Sequence, residues 1–450
     1  MRVPQPPPRA SLASLVGRGT LDLDRILAVG PVDAKGRYLH WDQMRHRRPP
    51  NGLSLDEWWI GTSLSRRALA RSLPLVDAGG RPFTFANVDA VQEKVHRIDQ
   101  LAGGQILADD VVTSLRGSDR YLVSSLAEEA ITSSQLEGAS TTRRVAKELL
   151  ATGRAPRDRS EQMIVNNFQA MIAAQELAAV PFTPDRVLDL HRTIAEDAVD
   201  DPRDAGRLQS EGEDRIAIYW HDGTLLHQPP PAEQLEARLV ELCAFANGET
   251  PDRFLHPVVR AIMLHFWLAY DHPFVDGNGR TARALFYWAM LRSGYWLAQY
   301  ISVSAILRGA PRQYVDSYLY TETDSGDITY FVLYQLDVIL RAVDSLNGYL
   351  GRKMAETQEI ERLLQGSGAL NHRQLLVVRD ALRDPSEPFT IAAQARRNRV
   401  TYESARTDLA ALERLDLLTK VRQGKKYVYR TAPDLPARLR NLGDAVRSGR

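Results

Sequence analysis

Between residues 119 and 364 apolar residues recur every three or four positions, the spacing of helices with one buried stripe. The run DRYLVSSLAEEAITSSQLEG opens on Asp119 as an N-cap and closes on Gly138 as a C′ residue, with Leu122, Leu126, Ala130 and Ile131 on one side. The same periodicity predicts helices over 143–151, 160–178, 184–197, 232–247, 256–270, 279–293, 311–320 and 327–364. The pattern breaks at 214–231, DRIAIYWHDGTLLHQPPP. Two short β-prone runs flank Asp222-Gly223, and three prolines stop the second run, so a β-hairpin is expected. After the GSG at 366–368, NHRQLLVVRDALRD, FTIAAQARRNRV (capped by Thr390) and TYESARTDLAALERLDLL (capped by Thr401) read as three helices. LTKVRQGKKYVYR then alternates about a glycine turn, which gives a winged-helix pattern over 369–431. Residues 19–118 hold apolar clusters and turn signals without a steady period. They fit either a small mixed domain or an extension laid on the next one, with Trp41, Trp58 and Trp59 in its core. Residues 1–18 read as a mobile Pro/Arg-rich N-terminus and 432–450 as a tail. The expected fold class is mainly α, with one hairpin set into a helical core over 119–364, an N-terminal extension and a C-terminal winged helix.

Composition narrows the function classes. The 450 residues are 44% hydrophobic and 25% charged, as in a globular protein, and the net charge is only +1. Any nucleic-acid or membrane contact must therefore use a local patch. A single cysteine, Cys243, rules out an internal disulfide, a cysteine zinc site and an iron–sulfur cluster. The most apolar stretch, 261–270, is too short to span a bilayer, and the N-terminus has prolines where a signal peptide needs an apolar run. A cytoplasmic protein without membrane contact is expected.

One stretch concentrates chemistry: HPFVDGNGRTAR, residues 272–283. Gly277 and Gly279 permit backbone conformations that turn successive N–H groups toward one point, and such a nest binds anions. The residues that follow read as a helix, so the nest lies on a helix N-terminus, which favours phosphate. Arg280 and Arg283 are three apart on one face and suit separate phosphates. Asp276 at the loop entry suits a Mg²⁺ held by one carboxylate and phosphate oxygens. Pro273 ends the preceding helix and leaves His272 on a rigid corner, placed to take a proton from a hydroxyl. Base, metal, cradle and clamp together point to phosphoryl or nucleotidyl transfer.

The stretch resembles the signature of the Fic (filamentation induced by cAMP) family, H-P-F-x-D-G-N-G-R-x-x-R, at every defining position: His272, Pro273, Phe274, Asp276, Gly277, Asn278, Gly279, Arg280 and Arg283. The resemblance covers roughly 120–350. It implies an all-α enzyme that transfers AMP from ATP to a hydroxyl of a target protein. It further implies His272 as base, Asp276 as Mg²⁺ ligand and Phe274 as core anchor. The ATP-facing run would be Gly277, Asn278, Gly279, Arg280, Thr281, Ala282 and Arg283, with Arg280 on the β-phosphate and Arg283 on the γ-phosphate. SSQLEG (133–138) resembles the family's inhibitory motif in Ser133, Glu137 and Gly138, of the class with an N-terminal inhibitory helix, here 119–138. Ser133 and Glu137 share a helix face, and an acid at a helix C-terminus needs a compensating cation. Arg283 is the candidate, and its pairing with Glu137 would deprive the γ-phosphate of a partner. The same glutamate also fits the reverse reaction, removal of AMP with the acid orienting a water.

The hairpin resembles the family's flap, on which a target segment docks by β-augmentation; Ile216, Ala217, Ile218 and Tyr219 are the expected contacts. Tyr314, in RQYVDSYLY, falls where the adenine pocket would be completed. His265 reads as a satisfied core histidine. The winged-helix pattern carries cations suited to DNA, but the acids in the second half of its third helix weigh toward target docking or dimerisation instead. A homodimer is compatible with the sequence, and a DNA-binding regulator with a nucleotide-sensing core is the rival from another class.

Overall fold

A computed structural model describes residues 2–8, 23–103, 119–365, 370–383, 388–423 and 426–447. The chain divides into two compact units, Met1–Leu346 and Asn347–Arg450. In the first, two short helical turns (Leu23–Leu27 and Trp41–Met44) precede α1 (Leu55–Leu69), strands β1 (Ala70–Val76) and β2 (Pro82–Ala86), and α2 (Asp89–Ile98). Then come α3 (Asp119–Leu136), α4 (Arg143–Thr152), α5 (Arg159–Glu176) and α6 (Pro184–Ala195). The hairpin β3 (Ile218–Tyr219) and β4 (Leu225–His227) follows, and then α7 (Leu235–Asn247), α8 (Pro257–Asp271), α9 (Asn278–Arg292), α10 (Val303–Arg308), α11 (Pro311–Thr323) and α12 (Thr329–Gln365), which runs past Leu346 into the second unit.

The first unit is built round α8 and α9. From Val258 to Leu268 every residue of α8 except Arg260 is buried, which is what a helix apolar on all sides requires. α9 packs on α8, and α5, α6 and α3 lie against α9. Local sequence sets the helix ends. Thr142, Asp158 and Thr183 accept first-turn N–H groups of α4, α5 and α6, and Gly153 and Gly248 close α4 and α7 in the left-handed conformation.

Residues 23–103 are an extension of this core. Thr84 of β2 exchanges backbone hydrogen bonds with Gly326 O and Ile328 N, both at 2.9 Å. The Phe83 ring meets Phe266 and Tyr270 edge-on at 5.5 and 5.0 Å. Buried Arg66 donates to Pro31 O, Leu39 O and the Tyr330 hydroxyl, and its guanidinium lies 3.6 Å over the Tyr38 ring. Of the two readings the sequence left open, the structure adopts the laid-on extension, because its hairpin finds its third partner in the turn before α12. Trp41, Trp58 and Trp59 are buried in its cluster. Residues 2–8, expected to be mobile, are instead seated: Gln5 N donates to Asp42 Oδ1 at 3.2 Å and Arg312 donates to Arg2 O at 3.0 Å. Residues 9–22 and 104–118 and the GSG at 366–368 lie outside the described residues.

In the second unit α13 (His372–Arg383), α14 (Ile391–Asn398) and α15 (Tyr402–Arg414) precede the antiparallel pair β5 (Leu418–Gln423) and β6 (Lys426–Thr431). Thr390 and Thr401 cap α14 and α15 as the sequence predicts. Residues 432–450, expected to be a tail, instead contain α16 (Leu435–Arg447), because Leu435 and Leu439 complete this unit's core with Val378, Leu409, Leu412 and Tyr429.

Because Phe83 is a core residue and not an ornament of a separate domain, Phe83→Ala should lower the unfolding free energy by about 3–5 kcal/mol in urea titrations. A loss below about 1 kcal/mol would mean that the extension is dispensable.

Candidate active site

The site begins where α8 stops. His272 closes the helix in the left-handed region (φ 45, ψ 53), a conformation that non-glycine residues hold only when their surroundings impose it. Those surroundings are visible. The His272 N–H donates to Leu268 O at 2.9 Å, and Arg215 donates to Asp271 O and His272 O at 2.6 and 3.0 Å. The buried Asp271 carboxylate accepts from Arg238 Nε at 2.8 Å and Trp267 Nε1 at 3.0 Å.

The loop that follows is tied by its own asparagine. Asn278 Oδ1 accepts from Phe274 N (2.9 Å) and its Nδ2 donates to Phe274 O (2.7 Å), with the His272 Nδ1 at 3.3 Å. The Phe274 ring is buried and stacks on His191 at 3.6 Å and 4°. His191 Nδ1 accepts from Gly206 N, which leaves Nε2–H to donate to Asp276 O at 2.9 Å. Burial pushes the His191 pKa down to about 4, and the ring stays neutral in that role. Gly277 adopts φ 83, and a Cβ there would lie 3.3 Å from Ile194 and 3.4 Å from His191 Nε2, so glycine is required.

α9 starts on this loop. Its first intrahelical bond is Thr281 N to Gly277 O, so the N–H groups of Asn278, Gly279 and Arg280 precede the ladder and form an anion site. Glu137 stands over it. A Cβ added to Gly279 would lie 2.1 Å from Glu137 Oε1. Arg283 donates to that oxygen at 2.9 Å, to Ser133 Oγ at 2.8 Å and to Ser133 O at 3.0 Å. Glu137 is placed by the end of α3. Gly138 N bonds Gln135 O and Ala139 N bonds Ser134 O, a Schellman closure with Gly138 at φ 97. Burial would lower the Arg283 pKa, but Glu137 outweighs it and the pKa is raised.

Two expectations are corrected here. Arg280 is fully buried and faces away from the cavity, because its guanidinium bonds Ile194 O (3.2 Å) and Asp276 Oδ1 (3.3 Å) under the loop. Thr281 and Ala282 are buried in the second turn of α9, where Thr281 Oγ1 and N–H both return to Gly277 O. Of the four flap residues, only Ile218 lines the cavity; Ile216 and Tyr219 are exposed, since successive residues of a strand face opposite ways and β3 is two residues long. The hairpin predicted at Asp222-Gly223 forms, through a three-residue turn with Gly223 at φ 83.

The cavity, about 320 Å³, is bounded by Glu137 and Gly279 at one end, His272 and Tyr270 at its side, and Ile218, Trp220, Leu226 and His227 on the hairpin. Tyr314, Tyr318, Val315 and Pro311 of α11 form the apolar wall. The Tyr314 hydroxyl is 2.8 Å from Nε2 of buried His265, which confirms that histidine as a core residue with a partner. Burial, with His227 and Arg215 nearby, pushes the His272 pKa down to about 3, so its ring is neutral and keeps a lone pair at physiological pH. For Asp276, burial is outweighed by Arg280, Gly277 N–H and Arg159, and the pKa falls.

Sequence reasoning missed four positioning residues: Arg159, which donates to Asp276 Oδ2 at 3.0 Å, His191, Arg215 and His227. None has a spacing signal, since each reaches the loop or the end of α8 from another element. His227 is distinctive. Its Nδ1 is 2.9 Å from Glu322 Oε2 and its Nε2 is 2.7 Å from Tyr270 O, and both are acceptors, so the ring donates twice and is an imidazolium. Burial opposes that charge, but Glu322 and the Tyr270 carbonyl outweigh it and the pKa is raised. A raised folded-state pKa stabilises below the unfolded value of about 6.5 and is lost as pH rises through the folded value. The stability difference between wild type and His227→Gln, measured by urea unfolding, should therefore be larger at pH 6 than at pH 9. A difference independent of pH would contradict the imidazolium assignment.

Comparison with known proteins agrees with this geometry. Residues 181–290 match the family model described as "Fic/DOC family". The chain is 31% identical over 163 residues to "Protein adenylyltransferase Fic" of Nematostella vectensis, covering 36% of this chain and 34% of that protein. It is 26% identical over 245 residues to the protein of the same name in Drosophila melanogaster, covering 53% and 45%. The chain thus spans between a third and a half of these curated relatives. A crystal structure of a Fic family protein from Desulfovibrio desulfuricans G20 shares the fold, with a TM-score of 0.51, 19% identity, and 77% and 97% of the two chains covered. The matched segment runs from the start of α6 nearly to the end of α9 and so contains the His272–Arg283 loop, and it is over this segment that the chain is similar to the Fic/DOC family.

Proposed function

We propose that the protein is an adenylyltransferase that moves AMP from ATP to a Ser, Thr or Tyr hydroxyl of a target protein, and that Glu137 holds it back. The observation that carries this reading is the Glu137 carboxylate itself. It occupies the α9 N-terminus beside Gly279 and engages Arg283, where a terminal phosphate would find its donors. A site that accommodates a carboxylate on those groups is chemically an anion site.

Neutral His272 takes the proton as the target oxygen bonds to the α-phosphorus and the bond to the bridging oxygen of the β-phosphate breaks, with pyrophosphate leaving. The first-turn N–H groups of α9 hold the phosphates, and Arg283, once released, holds the last of them. Buried Arg280 acts on Asp276 and on the loop rather than on phosphate. The apolar wall with Tyr314 receives the base.

Asp276 suits Mg²⁺ as a single carboxylate completed by phosphate oxygens. It is a third exposed and already faces the exposed Arg159 guanidinium, a positive charge at the same oxygen. Bound there, the ion would neutralise charge on the leaving phosphates.

The target would add a strand to the β3–β4 hairpin. That sheet has only two strands and leaves edges unpaired among the described residues, and Ile216, Tyr219 and Leu225 are exposed on it. No helix of the described residues is long and apolar enough to cross a membrane.

Incubation with ATP labelled in the α-phosphate tests the reading. Glu137→Gly should raise label on protein at least about tenfold, the effect of removing roughly 1.4 kcal/mol of competition. Adding His272→Ala should lower that rate by about 10²–10⁴. Label that ignores both substitutions would overturn the assignment.

A further inference from the structure

Positive charge is concentrated in the second unit. Residues 347–450 carry 20 Lys and Arg against 12 Asp and Glu, and the segment 388–431 alone carries ten against four, while the whole chain is +1. The geometry of that segment gives the charge a use. α14 and α15 are joined by only three residues, Arg399 to Thr401. Arg399 turns the chain in the left-handed conformation (φ 51, ψ 47), and Thr401 caps α15. Phe389 exchanges 2.8 Å backbone bonds with Tyr429, and α15 packs on β5. One face of the β5–β6 hairpin buries Leu418 and Tyr429. Nearer the turn the same face presents Lys420, Arg422 and Tyr427 to solvent, with Lys420 Nζ 4.6 Å from the Tyr427 ring centre.

The acids of α15 weighed against nucleic acid in the sequence, and the structure removes part of that objection. Asp408 is buried and turned inward, where it accepts from Arg373 at 2.6 Å and Asn371 at 2.9 Å. Glu403 pairs with Arg406 at 2.8 Å. The exposed start of α15 is left with Tyr402, Arg406 and Thr407, while Arg396, Arg399 and Arg430 are exposed and bear no ion pair among the described residues.

We infer that α14, α15 and the β5–β6 hairpin form a binding surface for double-stranded DNA. The first half of α15 enters the major groove, and Arg396, Arg399 and Lys420 neutralise backbone phosphates. A B-form major groove is wide enough for a helix, whereas the deep, narrow groove of duplex RNA is not. The inference is independent of the proposed transfer activity.

The test is fluorescence anisotropy of the full chain with a labelled random-sequence DNA duplex of about 24 base pairs. Three neutralised phosphates predict a roughly fortyfold loss of affinity between about 50 and 200 mM salt. The double variant R399E/K420E should bind at least about tenfold more weakly with an unchanged melting temperature, while R81E, which reverses an exposed cation of the first unit, should bind as wild type. Absence of binding at about 10 µM protein in the lower salt would overturn the inference, as would an equal loss in R81E. A double variant that keeps its DNA affinity but dissociates an oligomer in sedimentation would assign the surface to protein instead. Equal competition by an RNA duplex would overturn groove entry.

Discussion

The contact between Glu137 and Arg283 organises this protein. Arg283 is almost wholly buried, and a buried guanidinium needs acceptors on its donors. It finds three, all from the end of α3: the Ser133 hydroxyl, the Ser133 carbonyl and the Glu137 carboxylate. Glu137 lies at the C-terminus of one helix, where a negative charge is disfavoured, and at the N-terminus of another, where it is favoured. The α9 end and Arg283 together decide that balance. An anion bound in the same place must displace the carboxylate, so under the proposed function the contact that completes the resting fold would also be the one that opposes nucleotide.

That competition has meaning only if the anion site is stiff, and the remaining polar contacts supply the stiffness. Asn278 closes the loop on Phe274, His191 pins the loop from α6, and Arg215 and Arg238 fix the corner at Asp271 and His272. The strained backbone of His272 persists because these groups converge on two peptide units. His272, the N-terminus of α9 and the β3–β4 hairpin therefore share one scaffold. His227 joins the flap strand β4 to Tyr270 at the end of α8 and to Glu322 on α11, so the position of the hairpin depends on the charge of one imidazole.

Much of this was legible in the chain itself. The Gly-Asn-Gly spacing, the helix periods on either side and the Glu137-Gly138 helix end are local signals, and local signals survive folding. Thr390 and Thr401 as caps, the Asp222-Gly223 turn and the burial of His265 belong to the same class. What escaped was non-local. Arg280 has the same type and spacing as a phosphate clamp, but Ile194 O from α6 and Asp276 draw its guanidinium beneath the loop. Residues 23–103 lack a period because their hairpin completes its pairing at 326–328, far along the chain. α16 was hidden because Leu435 and Leu439 serve a core built mostly by residues before them. On α15 the acids looked exposed in sequence, whereas Asp408 faces Arg373 of another helix.

The most direct test of the central claim is a pair of crystal structures with a non-hydrolysable ATP analogue, one of the wild type and one of Glu137→Gly. The account predicts that in the variant the terminal phosphate lies about 3 Å from the Arg283 guanidinium, while in the wild type Glu137 keeps that guanidinium and the terminal phosphate is turned elsewhere. A terminal phosphate found in the same place in both, with Glu137 still on Arg283, would contradict it.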